Sequence, residues 1–117
     1  MEYKKLMVEV EKIFITELDK YITTKFGNND EIGHQITINV TYSEIMALGY
    51  NFGNVEGALK DIQKSYSKIL GNHVYKSLLQ TSKKYKTFVK KFSQFHLEFE
   101  NGLESERLIE NLKNSFN

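Results

Sequence analysis

The chain has 117 residues, of which 40% are hydrophobic and 26% charged, and its formal net charge is +1 at pH 7. This length predicts a single domain over 1–117, because domains commonly have about 100 to 150 residues. The absence of cysteine excludes disulfides, thiolate metal sites and a cysteine nucleophile. No stretch is typical of a secretory leader or a membrane span, so we expect a cytoplasmic protein.

Apolar residues at intervals of three and four predict a long first helix from Glu2 to Phe26. Gly27 is suited to end it. At 1.5 Å per residue this helix would extend about 35 to 40 Å, which is longer than a core of this size covers. A homodimer through the first helix is therefore one expectation.

Two shorter stretches alternate between apolar and polar residues, which is typical of half-buried strands. The first covers 35–41, after a Gly- and Asn-rich loop over 27–33, and the second covers 94–100. We expect the two to pair, although the phenylalanines of the second could also extend the preceding helix.

Helical spacing accounts for most of the remaining chain. It predicts a short helix over 42–49, a longer one over 54–70, another over 72–91, and a final helix after the turn dipeptide Asn101-Gly102. The predicted fold is α+β and predominantly α-helical, with four to five helices, a helix-turn-helix-like core and a small two-stranded antiparallel sheet.

Positive charge is concentrated in one segment of the chain. Between Lys60 and Lys91 there are nine lysines and one acid, Asp61, whereas residues 1–59 carry five lysines and nine acids. Residues 92–117 carry two basic groups and five acids. A basic segment of this kind is typical of a surface that contacts phosphates.

The helices at 42–49 and 54–70, joined by a tight turn, have the outline of a helix-turn-helix, and the two predicted strands would make it a winged variant. This predicts a non-catalytic regulatory protein that binds nucleic acid, with DNA as the first choice, through a lysine-rich face. The candidate contact residues are Lys60, Gln63, Lys64, Ser67, Lys68, Lys76, Lys83, Lys84, Lys86, Lys90 and Lys91.

Two other interpretations remain open. The lysines could simply be the solvated faces of helices, since arginine, which is common in nucleic-acid interfaces, occurs only once, at Arg107. Alternatively, the basic segment and the acidic ends could dock on a partner protein, so that the chain acts as an inhibitor or accessory factor, for example of a nucleic-acid enzyme.

An enzyme is the least favoured interpretation. His34, His73 and His96 share no metal-ligand spacing, although His96 and Glu98 would lie on one side of a strand. The glycines at 49, 53 and 57 lack the lysine and hydroxyl residue of a phosphate-binding loop. The sequence therefore predicts no catalytic residue, no metal and no cofactor. Tyr66, Tyr75, Tyr85 and Phe88 are expected in the core and not as stacking platforms for bases.

Overall fold

The computed structural model describes residues 2–27, 31–50 and 83–117. Four helices occupy these ranges: α1 (Tyr3–Phe26), α2 (Glu31–Tyr50), α3 (Lys83–Glu100) and α4 (Ser105–Ser115). The predicted first and last helices are confirmed. Gly27 ends α1 with a φ of 79°, and the Asn101-Gly102 turn leads into α4.

The predicted two-stranded sheet is wrong, because 35–41 lies inside α2 and 94–100 lies inside α3, and the described residues contain no strand. The short helix predicted at 42–49 is the later part of α2. The loop predicted over 27–33 extends too far, since α2 already includes Glu31. The described part of the chain is thus all-α, and the winged arrangement is lost with its strands. The helix predicted over 54–70 lies outside the described residues.

The buried face of α2 shows that residues 35–41 follow the period of a helix and not the two-residue period of a strand. Ile38, Thr41, Ile45 and Leu48 are buried at intervals of three and four, and Thr37 is only 5% exposed. The threonines look polar in the sequence. In the helix the Thr37 hydroxyl donates to the Gly33 carbonyl oxygen at 2.7 Å, so it is buried without losing its hydrogen bond.

The four helices form a ring in which α1 is flanked by α2 and α4, and α3 is flanked by the same two helices. The directions follow from contacts between their ends. The hydroxyls of Tyr3 and Tyr50 lie 3.0 Å apart, so α1 and α2 are antiparallel. The Tyr3 ring also contacts the Phe99 ring, with centroids 5.4 Å apart, which makes α3 antiparallel to α1 and parallel to α2. After the tight turn α4 reverses and runs parallel to α1.

Phe14 of α1 lies at the centre of the core. Its ring centroid is 5.4 to 6.4 Å from those of Tyr42, Phe88, Phe92 and Phe116, so it contacts side chains from every other part of the described fold. Aromatic pairs at such distances add about 0.5–1.5 kcal/mol each beyond the area they bury. The four helices are therefore joined through one aromatic cluster.

Candidate nucleic-acid interface

Five of the candidate lysines lie on α3, where the core fixes which way each one points. Tyr85, Phe88, Phe92 and Phe95 are buried and define the inner face of the helix. At about 100° per residue, Lys83, Lys86 and Lys90 fall on the opposite, outer face. All three are exposed. We call these three residues the lysine row.

Lys84 and Lys91 lie on the flank of α3 that faces α4. The Lys91 ammonium donates to the Ser115 carbonyl oxygen at the end of α4 and lies 4.8 Å from the centroid of the Phe116 ring. Burial, followed by the nearby charge of Lys84, lowers the pKa of Lys91. Lys84 itself lies 5.6 Å from the Phe88 ring centroid. Lys91 therefore secures α4 to α3, while the lysine row is left to solvent.

Acidic residues are absent from the first half of α3, so the lysine row is not neutralised along its own helix. The first acid on α3 is Glu98, and it accepts a hydrogen bond from Gln94 at 3.1 Å. On α1, by contrast, Lys12 and Lys20 pair with Glu9 and Glu17 at 3.3 and 3.4 Å. Within the described ranges, the outer face of α3 is thus a stretch of uncompensated positive charge.

The other candidate residues, Lys60, Gln63, Lys64, Ser67, Lys68 and Lys76, lie outside the described residues, as do Tyr66 and Tyr75. The expectation that Tyr85 and Phe88 belong to the core is confirmed, since they are 3% and 1% exposed. No aromatic platform for stacking bases accompanies the lysine row on α3. Its chemistry suits phosphates rather than base edges or ring faces.

The histidines of α2 and α3 hold helices together or pair locally. His34 Nε2 lies 2.7 Å from Asp19 Oδ1, which joins α2 to α1, and the Thr23 hydroxyl donates to the same oxygen at 3.1 Å. These contacts, chiefly the hydrogen bond from His34, lower the pKa of Asp19.

The predicted alignment of His96 with Glu98 is wrong, because residues two apart diverge on a helix. His96 pairs instead with Glu100 at 3.0 Å. Across the part of the chain that the structure describes, no group of three His, Cys, Asp or Glu side chains could hold a metal ion.

Sequence reasoning missed a buried carboxylate. Glu44 is 1% exposed, and its Oε2 accepts a hydrogen bond of 3.1 Å from the Tyr85 hydroxyl of α3. Burial, and then the charge of Glu44, raises the pKa of Tyr85. The signal was available, since Glu44 lies three residues from Thr41 and four from Leu48 on the buried face. The burial of Glu44 can be predicted only when residues 31–50 are treated as one helix.

No described helix is both long and apolar enough to cross a membrane. Comparison with protein-family models, curated proteins and solved structures found no match to this chain. The lysine row is therefore interpreted from its own geometry and charge.

Proposed function

We propose that this chain is a small, non-catalytic protein that binds nucleic acid by placing the lysine row of α3 against the phosphate backbone. The observation that carries the proposal is the alignment of Lys83, Lys86 and Lys90 on one exposed helix face without an intervening acid. Residues 83 and 90 are about 10 Å apart along the helix axis, so the ammonium groups can reach several successive phosphates.

The form of recognition follows from the residue types. Lysine ammonium groups act as point charges and lack the planar fork with which arginine recognises a base edge or a phosphate. Binding through the lysine row is accordingly expected to depend steeply on salt and weakly on sequence.

The test is fluorescence anisotropy of labelled duplex and single-stranded oligonucleotides at several salt concentrations. The triple variant K83Q/K86Q/K90Q should reduce the slope of log affinity against log salt by about 2 to 3, since each lost phosphate contact removes about 0.7 to 0.9. The affinity of this variant for the oligonucleotides at low salt should also fall.

The matched control is K5Q/K20Q/K113Q, which removes three exposed lysines from α1 and α4 and changes the net charge equally. It should retain most of the affinity. Equal losses in the two triple variants would mean that net charge alone attracts the oligonucleotide, and an unchanged slope in the α3 variant would remove the lysine row from the interface.

A second candidate function is docking on an acidic partner protein, as an inhibitor or accessory factor. Leu97 favours it, because this side chain is 52% exposed and continues the face of the lysine row. An apolar side chain beside positive charges suits a peptide with acidic and apolar residues more than a phosphate backbone. Leu97→Ser should leave oligonucleotide binding unchanged and weaken a protein complex.

A further inference from the structure

We infer that Asn101 is a site of spontaneous covalent modification, at which the chain deamidates through a succinimide ring closed by the Gly102 nitrogen. Asparagine is among the thermolabile residues of proteins. The sequence has one Asn-Gly dipeptide, and both of its residues are exposed. Glycine has no Cβ to shield its nitrogen, and apart from the chain neighbours no atom lies within 4 Å of where a Cβ of Gly102 would be. No substituent of residue 102 therefore obstructs the approach of its nitrogen to the Asn101 side chain.

The reaction needs water and no other co-reactant. The deprotonated Gly102 nitrogen attacks Cγ of Asn101, a C–N bond forms, and the side-chain amide leaves as ammonia. Water then opens the ring at one of its two carbonyl carbons. Opening at Cγ gives aspartate at position 101, whereas opening at the main-chain carbonyl gives isoaspartate, in which the backbone runs through the side chain. Either product is one mass unit heavier and carries one more negative charge than the original chain.

The folded turn holds the reactive nitrogen back. The Gly102 amide donates to the Phe99 carbonyl at 3.0 Å, and the Asn101 amide donates to the Leu97 carbonyl at 3.0 Å. Ring closure requires the Gly102 nitrogen to leave its acceptor, lose its proton and turn towards the Asn101 side chain. Helix ends open at a low cost in free energy, because few buried contacts are lost there. The rate of deamidation should therefore equal the rate in a free peptide multiplied by the fraction of molecules in which the end of α3 is frayed.

Isoaspartate at position 101 would weaken the junction between α3 and α4. It adds one carbon to the backbone inside the turn that the Leu103 amide closes on the Glu98 carbonyl. Leu103, which is half-buried against the core, would lose the geometry that positions it. The new carboxylate also lies at the carboxyl end of α3, where the helix dipole disfavours negative charge. The modified protein should therefore unfold at a lower urea concentration than the original.

Deamidation is tested by incubating the folded protein at two pH values one unit apart and mapping its peptides by mass spectrometry. The peptide that contains Asn101 should gain one mass unit, and chromatography should separate its aspartate and isoaspartate forms. The rate should rise about tenfold with the unit of pH, because only the deprotonated nitrogen attacks. Asn101→Gln should abolish the gain, since glutamine closes a six-membered ring far more slowly. Asn114, which precedes Ser115, should convert more slowly than Asn101, because Ser115 has a Cβ.

Two variants test whether fraying of the turn controls the rate. Leu103→Ala removes the side chain that anchors the turn and keeps the Asn-Gly dipeptide, so it should speed deamidation about fivefold. Ile22→Val is the matched control, because Ile22 is buried in the core near the opposite end of α1. It should leave the rate unchanged. Equal rates in the two variants would show that local fraying does not control the reaction.

A synthetic peptide covering residues 97–106 supplies the reference rate. The folded wild-type protein should convert at Asn101 more slowly than this peptide, and urea should bring the two rates together as the protein unfolds. A folded protein that shows no mass gain at Asn101 after the peptide has converted completely would overturn the inference. A gain that occurs first at Asn114 would overturn it as well.

Discussion

At the scale of single residues, Gly49 shows how closely α2 and α3 pack. A Cβ atom added to Gly49 would lie 2.6 Å from Cδ1 and 3.1 Å from Cβ of Phe92, which is fully buried. The buried Phe92 ring lies against the rings of Phe14, Tyr42, Tyr50 and Phe95. Gly49, where the sequence predicts the end of a helix, is the next-to-last residue of α2 and also lets the two helices approach.

Gly49→Ala is expected to destabilise the protein by about 1–3 kcal/mol in urea denaturation, the usual cost of overpacking a core. At an open helix position the same change would stabilise by about 1 kcal/mol, so the sign of the effect is diagnostic. Phe92→Leu, combined with Gly49→Ala in a double-mutant cycle, should show a favourable coupling. A stabilised Gly49→Ala variant would contradict the close approach.

The His34–Asp19 contact makes the titration of Asp19 a second residue-scale measurement. Because the folded-state pKa of Asp19 lies below its ordinary value of 3.8, the carboxylate stabilises the fold above that pH. Its contribution is lost as the pH falls through the folded-state pKa. His34→Leu removes the principal hydrogen bond and should raise the pKa of Asp19 towards 3.8, measured by NMR of the carboxyl carbon. Thr23→Val should shift it less, and an unchanged pKa in the His34 variant would contradict this assignment.

At the scale of elements, the end of α3 is set by its capping geometry. The amide of Leu103 donates to the Glu98 carbonyl at 3.1 Å and that of Gly102 donates to the Phe99 carbonyl at 3.0 Å, which together form a Schellman motif. Gly102 has a φ of 84°. The half-buried Leu103 then packs on the core, so the motif fixes the direction in which α4 leaves.

Gly102→Ala is expected to cost about 1–2 kcal/mol of unfolding free energy, because an L-residue with a Cβ resists the left-handed conformation. No atom lies within 4 Å of the added Cβ, so the cost comes from the backbone alone. Gly102→Asn should cost less, since asparagine tolerates this region. Gly27 differs from Gly102, because its ψ of −169° at positive φ is a conformation that is essentially confined to glycine, so asparagine there should cost as much as alanine. Equal losses for alanine and asparagine at Gly102 would contradict the motif.

The elements also show why two strands were predicted where helices occur. In α3 the alternation of Phe95, Leu97 and Phe99 is real, but Leu97 and Phe99 are 52% and 37% exposed and only Phe95 is fully in the core. The phenylalanines at 88, 92 and 95 continue the helical period. A short window that contains exposed apolar residues can fit both periods, and packing against neighbouring helices decides between them.

At the scale of the whole molecule, the lysine row lies on one corner of the ring of four described helices. α1 and α3 stand diagonally opposite each other, each flanked by α2 and α4, so the lysine row on the outer face of α3 points away from α1. The control variant K5Q/K20Q/K113Q therefore removes charge from helices other than the one that carries the lysine row.

The sequence by itself determined the long first helix, its end at Gly27, the turn at Asn101-Gly102, the final helix and the placement of Tyr85 and Phe88 in the core. These are local signals, in which side-chain spacing or backbone conformation is settled within a few residues. The tertiary structure decided the rest: that 35–41 and 94–100 are helical, that Glu44 is buried against Tyr85, and that Lys83, Lys86 and Lys90 face solvent while Lys91 secures α4. Those outcomes depend on which face of each helix another helix covers, and residues distant in the chain determine that.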